Sequence, residues 1–223
     1  DDGVRTVAAH ALGELGKHAQ SAVGVLVEMV NDPNEEVRQA AVSALARVDP
    51  QGKRSVPAIA RGLTSPSARA RMQSAEALGG LRMAAAGAAP ALSAALRDTN
   101  ATVRVKAVAA LARVAPAERA LLQALGFALQ DADEEVRIEA VNALALFEGD
   151  PQQAAPHLIS ALSDSSPRVR FQAIELLEKF APDLDAMVPA IGVAIGNCLR
   201  DTSELVQTRA VKASGMLAHL AHD

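Results

Sequence analysis

Histidines and carboxylates at helical spacing are the residues of this sequence whose types could support metal chemistry. Two groups qualify, one near each end of the chain: His10, Glu14 and His18, and His219, His222 and Asp223. Imidazole and carboxylate groups can ligate zinc, but a zinc site needs three or four ligands in a fixed geometry. Because neither group has a fixed third or fourth ligand, we interpret both as solvated or structural and predict no metal site.

Candidates for nucleophilic or phosphate chemistry are scarcer still. The single cysteine, Cys198, excludes a disulfide within the chain, and we interpret it as a small packing residue. No histidine stands in a recognisable motif with a serine or cysteine, and no phosphate-binding glycine loop occurs. Acidic runs such as Asp133-Glu134-Glu135 suit the first turn of a helix, where they complement its dipole. The sequence therefore predicts a protein that is not an enzyme and carries no cofactor.

An arginine recurs at a fixed interval along the chain. It stands every 33 residues, at Arg5, Arg38, Arg71, Arg104, Arg137 and Arg170. Complete copies share a valine just before the arginine, an alanine three residues after it and a leucine seven after it, as in Val37, Ala41 and Leu45. Self-similarity at a fixed period is the signature of a tandem repeat.

One repeat contains two helices. In residues 86–118, an apolar stretch around Leu92 follows Pro90, a residue tolerated in the first turn of a helix. Residues 98–100 (Asp-Thr-Asn) favour a turn and a helix cap. Apolar positions in 103–114 then recur at spacings of three and four, which marks an amphipathic helix. The unit is helix A, a tight turn and helix B, and neighbouring units must stack to bury their apolar faces.

The period divides the chain into one array over residues 1–223. Its predicted parts are 1–19 (helix B only), 20–52, 53–85, 86–118, 119–151, 152–184 and an atypical terminal repeat, 185–223. In the last repeat Asp201 comes 37 residues after Asp164, so we expect helix A to be longer there by four residues. The first helix B lacks its partner, which suggests a fragment of a longer array or part of a larger complex.

An aspartate precedes most of the arginines by six residues, in the turn between the helices. The predicted ladder consists of Asp32, Arg38, Arg71, Asp98, Arg104, Asp131, Arg137, Asp164 and Arg170. A carboxylate there can cap helix B or pair with an arginine of its own or the adjacent repeat. We interpret the series as structural, in preference to an arginine-lined ligand groove. The ladder should be weakest in 53–85, where Ser65 replaces the aspartate.

The pattern D-x4-V-R-x2-A-x3-L after a short proline-initiated helix resembles HEAT repeats, and it covers essentially the whole chain. The period of 33 residues is most similar to the short HEAT-like repeats of phycobilisome-lyase-like proteins. Ankyrin repeats share this period, but their Thr-Pro-Leu-His motif is missing. The resemblance implies an all-α fold, a right-handed superhelix (solenoid) of about six and a half hairpins in which helix B lines the concave surface.

Positions counted from the arginine predict which side of helix B meets a partner. Helical phase puts +3, +4, +7 and +10 in the core and turns +1, +5, +8 and +9 outward. The predicted partner-binding residues are Gln39, Ser43, Arg47, Met72, Glu76, Val105, Arg113, Ile138, Asn142, Phe171, Glu175 and Lys179. Four successive +1 residues are apolar, as in a groove for a helix or extended peptide. They could equally pack against the adjacent helix B, and the exposure of Ile138 and Phe171 separates the two interpretations.

The amino-acid composition opposes two classes of function, nucleic-acid binding and membrane insertion. Hydrophobic residues make up 50% of the chain and aromatic residues 2%, which favours helices packed through alanine, valine and leucine. The net charge of −4 opposes nucleic-acid binding. No apolar run reaches the roughly 18 residues of a membrane span, and without a signal-peptide pattern we predict a cytoplasmic location.

We therefore predict a non-catalytic protein–protein interaction scaffold whose partner, a protein or peptide, binds the concave helix-B surface. The alternative implied by the resemblance is a bilin lyase or isomerase, although the chain has no Trp or Tyr and only four Phe to hold a pigment. DNA binding, as in HEAT-like alkylpurine glycosylases, is opposed by the acidic composition and the missing aromatic residues.

Overall fold

The computed structural model describes residues 1–115, 117, 119–184 and 187–220, in which helices are joined by short turns and no strand occurs. The all-α class predicted from the repeat is confirmed. Contacts divide the chain into two compact units, Asp1–Pro116 and Ala117–Asp223. Each unit is a two-layer stack of helical hairpins.

In the described part of the first unit there are seven α-helices. They are α1 (Asp2–Leu15), α2 (Val23–Met29), α3 (Glu35–Val48), α4 (Ser55–Arg61), α5 (Ala68–Leu81), α6 (Ala89–Ala95) and α7 (Ala101–Val114). Short 3-10 segments cover Gly16–Ala22, Gly62–Thr64 and Arg82–Ala88. The B helices α1, α3, α5 and α7 pack side by side in one layer, and α2, α4 and α6 each pack on the B helix that follows.

The second unit repeats this arrangement with six α-helices among its described residues. They are α8 (Arg119–Ala128), α9 (Glu134–Leu144), α10 (Pro151–Ala161), α11 (Pro167–Phe180), α12 (Val188–Cys198) and α13 (Glu204–Leu220). The B helices α9, α11 and α13 pack in a row, and α8, α10 and α12 each pack on the B helix that follows.

The B helices α1, α3, α5, α7, α9 and α11 each begin at a polar cap four residues before the arginine. The Asn34 side chain accepts hydrogen bonds from the backbone N–H groups of Glu36 and Val37, and Asp133 does the same for Glu135 and Val136. Such a cap satisfies donors that the first turn leaves without partners, and it contributes about 1 kcal/mol. The aspartate two residues earlier does not cap the first turn: Asp32 and Asp131 instead accept a hydrogen bond from the backbone N–H of the cap residue.

The core of each unit is built from the +7 leucines and their neighbours. Leu45 and Leu78 in the first unit and Leu144 and Leu177 in the second are fully buried. Removing one leucine side chain from water stabilises the fold by roughly 1.5–3 kcal/mol. This repeated apolar layer is what lets hairpins without aromatic residues stack stably.

Two pairs of B helices in the first unit approach closely at glycine. A Cβ on Gly13 would lie 3.2 Å from the Cα of Ala44, and a Cβ on Gly79 would lie 3.1 Å from the Cα of Ala110. Both glycines occupy position +8, which helical phase turns outward in the prediction. That expectation is wrong for Gly13, Gly79 and Ala112, which are buried because +8 faces the neighbouring B helix.

The extra residues of the last repeat do not lengthen helix A. Both α10 and α12 contain 11 residues, and each begins 13 positions before the aspartate of its turn, Asp164 or Asp201. The four extra residues therefore lie before α12: α11 has 14 residues where α9 has 11, and the segment that joins α11 to α12 is one residue longer than the segment that joins α9 to α10. Placed there, they leave the pairing of α12 with α13 in the same register as that of α10 with α11.

Candidate binding grooves

Arginine–aspartate bridges join consecutive repeats within each unit. The guanidinium donates through Nε and Nη2 to both carboxylate oxygens of the aspartate in the next turn. The two distances are 2.5 and 2.8 Å between Arg71 and Asp98, and 2.8 and 3.0 Å between Arg137 and Asp164. The same two-point pair forms between Arg5 and Asp32 and between Arg170 and Asp201. This planar fork-to-carboxylate match adds geometric specificity to a strong, charge-assisted pair of hydrogen bonds.

Each arginine also holds the turn of its own repeat. Nη1 of Arg71 donates to the backbone carbonyls of Ser65 and Pro66 at 2.8 and 3.1 Å. Equivalent bonds, to carbonyls six and five residues back, are made by Arg38, Arg104, Arg137 and Arg170. In the last repeat Gln207 takes over and donates to the Asp201 carbonyl. One edge of the guanidinium thus orders its own turn and leaves the other edge for the next repeat.

Hydrogen bonding keeps two of the bridge carboxylates, Asp98 and Asp201, charged. The hydrogen bond from Arg71 lowers the pKa of Asp98, and the hydrogen bond from Arg170 lowers the pKa of Asp201. Burial of these carboxylates, whose side chains are 9% and 8% exposed, acts in the opposite direction. The charged hydrogen bonds outweigh the loss of solvation.

Arg38 departs from this pattern because the next turn carries Ser65. Its Nη1 keeps the bonds to the carbonyls of Asp32 and Pro33, at 2.9 and 3.0 Å. Within the described part of the chain, no carboxylate lies within 4.0 Å of its guanidinium, and Nε and Nη2 make no hydrogen bond. Among the described residues, the junction between α3 and α5 therefore has an oriented cation that no carboxylate contacts.

A groove of about 380 Å³ lies beside Arg38, between α3 and α5. This first groove is lined chiefly by Arg38, Val42, Ser43, Gln73, Glu76 and Arg113. The two helices contact each other less extensively than α5 and α7 do. Position +8 of α3 is Ala46, so this junction lacks the glycine that brings α5 and α7 together.

The second unit has a smaller groove of about 220 Å³ between α9 and α11. This second groove is lined chiefly by Val141, Asn142, Gln172, Glu175, Leu176 and Lys179. The two grooves use the same repeat positions: valine at +4 and a small polar residue at +5 of one B helix, then glutamine at +2 and glutamate at +5 of the next. The match shows that both grooves come from one repeat design.

A glutamine amide without a protein partner lies in each groove. Gln73 is 3% exposed, and its side chain makes no hydrogen bond to the described residues. In Gln172 the buried Oε1 likewise has no hydrogen-bond partner. A buried polar atom left without a partner costs about 1–3 kcal/mol. The Gln73 amide, which lines the first groove, can therefore hydrogen-bond a ligand directly, whereas Gln172 Oε1 is fully buried and its side chain would have to turn to reach one.

The groove glutamates are paired with basic residues of the following repeat. Glu76 accepts from Lys106 Nζ at 2.9 Å, and Glu175 lies 3.8 Å from Arg209. Arg209 also pairs with Glu178, whose pKa is raised by burial. The cations Arg113 and Lys179 are exposed and make no ion pair with another described residue.

The grooves bring together seven of the twelve residues predicted to bind a partner. The first groove takes in Gln39, Ser43, Glu76 and Arg113, and the second takes in Asn142, Glu175 and Lys179. Arg47 instead pairs with Glu14 of the preceding repeat at 2.6 Å. Gln73 and Gln172 were not among the predicted residues, because helical phase assigned position +2 to neither the core nor the surface. The only available signal was a glutamine directly before a core residue.

The apolar +1 column is not an open stripe. Ile138 is 6% exposed, and Met72, Val105 and Phe171 are half-buried. The Arg209 guanidinium lies over the Phe171 ring, 5.9 Å from its centre, at a distance typical of a cation–π contact. For Ile138 the burial favours the packing interpretation. With one of the four apolar +1 residues buried and three half-buried, the column offers little free apolar area.

The candidate metal ligands near the N-terminus do not share one helix. α1 ends at Leu15, where Gly16 takes a φ of 53°, and His18 lies in the following 3-10 segment. Glu14 is engaged with Arg47. Of the C-terminal group, His222 and Asp223 lie outside the described residues. Elsewhere in the described ranges, no three His, Cys, Asp or Glu residues come together in a way that could hold a metal ion.

Among the helices that the structure describes, none combines the length and the hydropathy that crossing a membrane requires.

A family model described as HEAT repeats matches residues 1–79 and 118–215. The matches do not distinguish the phycobilisome-lyase-like type of repeat. Among curated proteins, none matches this sequence.

Solved structures share the fold. An archaeal HEAT-like repeats protein from Thermococcus onnurineus is 13% identical, with 99% of this chain and 98% of that chain covered and a TM-score of 0.59. A designed armadillo repeat protein in complex with the peptide (KR)4 is 22% identical, with 87% and 99% covered and a TM-score of 0.61. A computationally designed armadillo protein for modular peptide recognition is 21% identical, with 87% and 99% covered and a TM-score of 0.60. At these identities the likeness establishes an all-α superhelical repeat fold.

Proposed function

This chain belongs to the HEAT-repeat family, and on that premise we propose that it is a non-catalytic scaffold that binds a protein or an extended peptide along its B helices. The observation that carries the proposal is the pair of equivalent grooves, each with a glutamine amide that has no protein partner. An amide offers both a donor and an acceptor, which suits the backbone of an extended chain.

The rest of the lining fits the same ligand. Val42 and Val141 give each groove an apolar wall, and exposed polar residues at +5 flank the amides. Protein and peptide sites combine an apolar centre with a polar rim in this way. The designed armadillo proteins that share the fold include one solved with a peptide.

A bilin fits this lining less well. Neither groove includes one of the four phenylalanines, so an extended aromatic pigment would have no ring to stack on. Mixing the protein with a bilin and recording the visible spectrum tests this alternative, because a bound pigment would shift its absorbance. The exclusion of nucleic acid, the cytoplasmic location and the place in a longer array or larger complex stay predictions from the sequence.

Selection from a random-peptide display library on the full chain tests the proposal. We expect enriched peptides that bind the wild type in solution and lose about tenfold in affinity in a Gln73→Met, Gln172→Met double variant, since two hydrogen bonds are removed. Methionine keeps the side-chain length, so the helices should stay folded. The matched control is Gln123→Met with Gln153→Met, two exposed glutamines of A helices.

Two results would contradict the proposal. Failure of the library to yield any peptide with measurable affinity would remove peptide binding altogether. Equal loss of affinity in the groove variant and in the control variant would show that the grooves are not where the peptide lies.

A further inference from the structure

We infer that the first groove binds an acidic peptide and that Arg38 receives one of its carboxylates. This inference rests on the proposed function and adds the chemistry of the ligand. It begins from Arg38 Nη1, which is held by the carbonyls of Asp32 and Pro33 at 2.9 and 3.0 Å. The guanidinium is therefore oriented before any ligand arrives, which lowers the entropy cost of binding.

The remaining edge of Arg38 has the same donors that bind a carboxylate elsewhere in the array. In Arg71 and Arg137, Nε and Nη2 donate to an aspartate of the next repeat at 2.5–3.0 Å. At Arg38 the corresponding turn offers Ser65, and in the described ranges no carboxylate comes within 4.0 Å. A two-point arginine–carboxylate pair supplies both affinity and orientation.

The charges around Arg38 favour an anion in this groove. Arg113, the second cation of the lining, is exposed and has no ion-pair partner in the part of the chain described. Of the two glutamates in the lining, Glu76 is neutralised by Lys106 at 2.9 Å, and Glu35 accepts a hydrogen bond from Gln39. Two cations thus face the groove against one unneutralised carboxylate.

Gln73 gives independent evidence for a peptide ligand. Its side chain is more than nine-tenths buried, lines the groove and has no hydrogen-bond partner among the described residues. A peptide with an aspartate or glutamate on Arg38 could hydrogen-bond the Gln73 amide through its backbone. An isolated anion bound to Arg38 would leave the Gln73 amide without a hydrogen-bond partner.

Ser65→Asp is the decisive variant, because it supplies from within the chain the carboxylate that the other repeats have. The new aspartate should pair with Arg38 and raise the Tm, so that the site is filled without loss of the fold. The control is Ser21→Asp, which adds the same charge at an exposed position outside the groove.

Peptides from the display library described above are the probes. We expect enrichment of aspartate and glutamate, and about tenfold weaker binding of the selected acidic peptides to Ser65→Asp and to Arg38→Gln. Substitution of the acidic residues of a selected peptide by their amides should weaken binding to the wild type by a similar factor and leave its weaker binding to Ser65→Asp nearly unchanged. Circular dichroism verifies that Arg38→Gln remains helical.

The outcomes separate this inference from the function on which it rests. Selected peptides without an acidic preference, or equal affinity of an acidic peptide for the wild type and Ser65→Asp, would overturn the acidic-ligand inference and leave peptide binding intact. An equal loss in Ser21→Asp would also overturn it, because the effect would then be one of net charge. A library that yields no binding peptide would remove both proposals.

Discussion

Two junctions between B helices in the first unit are built from the same repeat, but one is closely packed and the other contains a groove. Between α5 and α7, Gly79 lets the helices approach closely, and Arg71 bridges to Asp98. Between α3 and α5, the corresponding residues are Ala46 and Ser65, the bridge is missing, and a groove of about 380 Å³ remains. At the closed junction, then, close approach coincides with glycine at +8 and a carboxylate in the following turn, and the open junction has neither.

The structural arginine series and the candidate site are therefore not separate systems. A repeat that loses its aspartate loses a bridge, and the same change leaves Arg38 oriented beside a groove. In this interpretation the arginines of the ladder stabilise most junctions by pairing with an aspartate, and at the α3–α5 junction Arg38 instead binds the carboxylate of a ligand. Three predictions test the comparison, in order of decreasing effect.

The largest effect is expected from Asp98→Ala at the closed junction. It leaves the Arg71 guanidinium, whose side chain is 15% exposed, without its carboxylate. Removing one partner of a buried pair costs about 3 kcal/mol or more. Urea unfolding followed by circular dichroism measures the loss. Ser65→Ala at the open junction is the matched control and should change the free energy of unfolding by less than about 0.5 kcal/mol. Equal effects at the two positions would break the comparison.

A smaller effect is expected from Gly79→Ala. The added Cβ would lie 3.1 Å from the backbone Cα of Ala110, so α5 and α7 must separate. We expect a net loss of about 1 kcal/mol, because strain of about 1–3 kcal/mol exceeds the gain in helix propensity. The control is Gly192→Ala in α12, where no atom lies within 4 Å of the new Cβ and propensity should stabilise the helix. Thermal unfolding compares the two, and stabilisation by both would show that close approach does not limit the closed junction.

The smallest effect is a pH dependence of the bridge. Because the hydrogen bond from Arg71 lowers the pKa of Asp98, the folded state binds this proton less readily than the unfolded state. The stabilisation is therefore present above the unfolded pKa of about 3.9 and is lost as the pH falls through the folded pKa. The difference in unfolding free energy between the wild type and Asp98→Asn should shrink from pH 6 to acid. A difference independent of pH would show that the carboxylate charge does not contribute.

The structure also changes how the apolar +1 column should be tested. Charged substitutions such as Ile138→Glu would place a carboxylate at a position that is 6% exposed, and they would measure folding more than binding. Helical phase predicted that +1 points to water, because it considers one helix at a time. At Phe171 the +1 side faces the next B helix, where Arg209 of α13 covers the ring.

The sequence predicted the all-α class, the 33-residue period and the alternation of helix A and helix B. It could do so because every repeat has similar residue types at the same positions, and these favour the same helices and turns. The two-point bridge to the next repeat was one of two open alternatives, own repeat or neighbour. Choosing between them required coordinates, since both aspartates lie within reach of an arginine side chain.

The sequence alone determined that hairpins must stack, since each has an apolar face that it cannot bury by itself. Only the tertiary structure decided which junctions close, because the distance between two B helices depends on side chains from both repeats at once. Gln73 and Arg38 both line the first groove for this reason. The repeat period placed Arg38 in the structural ladder and gave no role to Gln73, so it could not predict that they lie together.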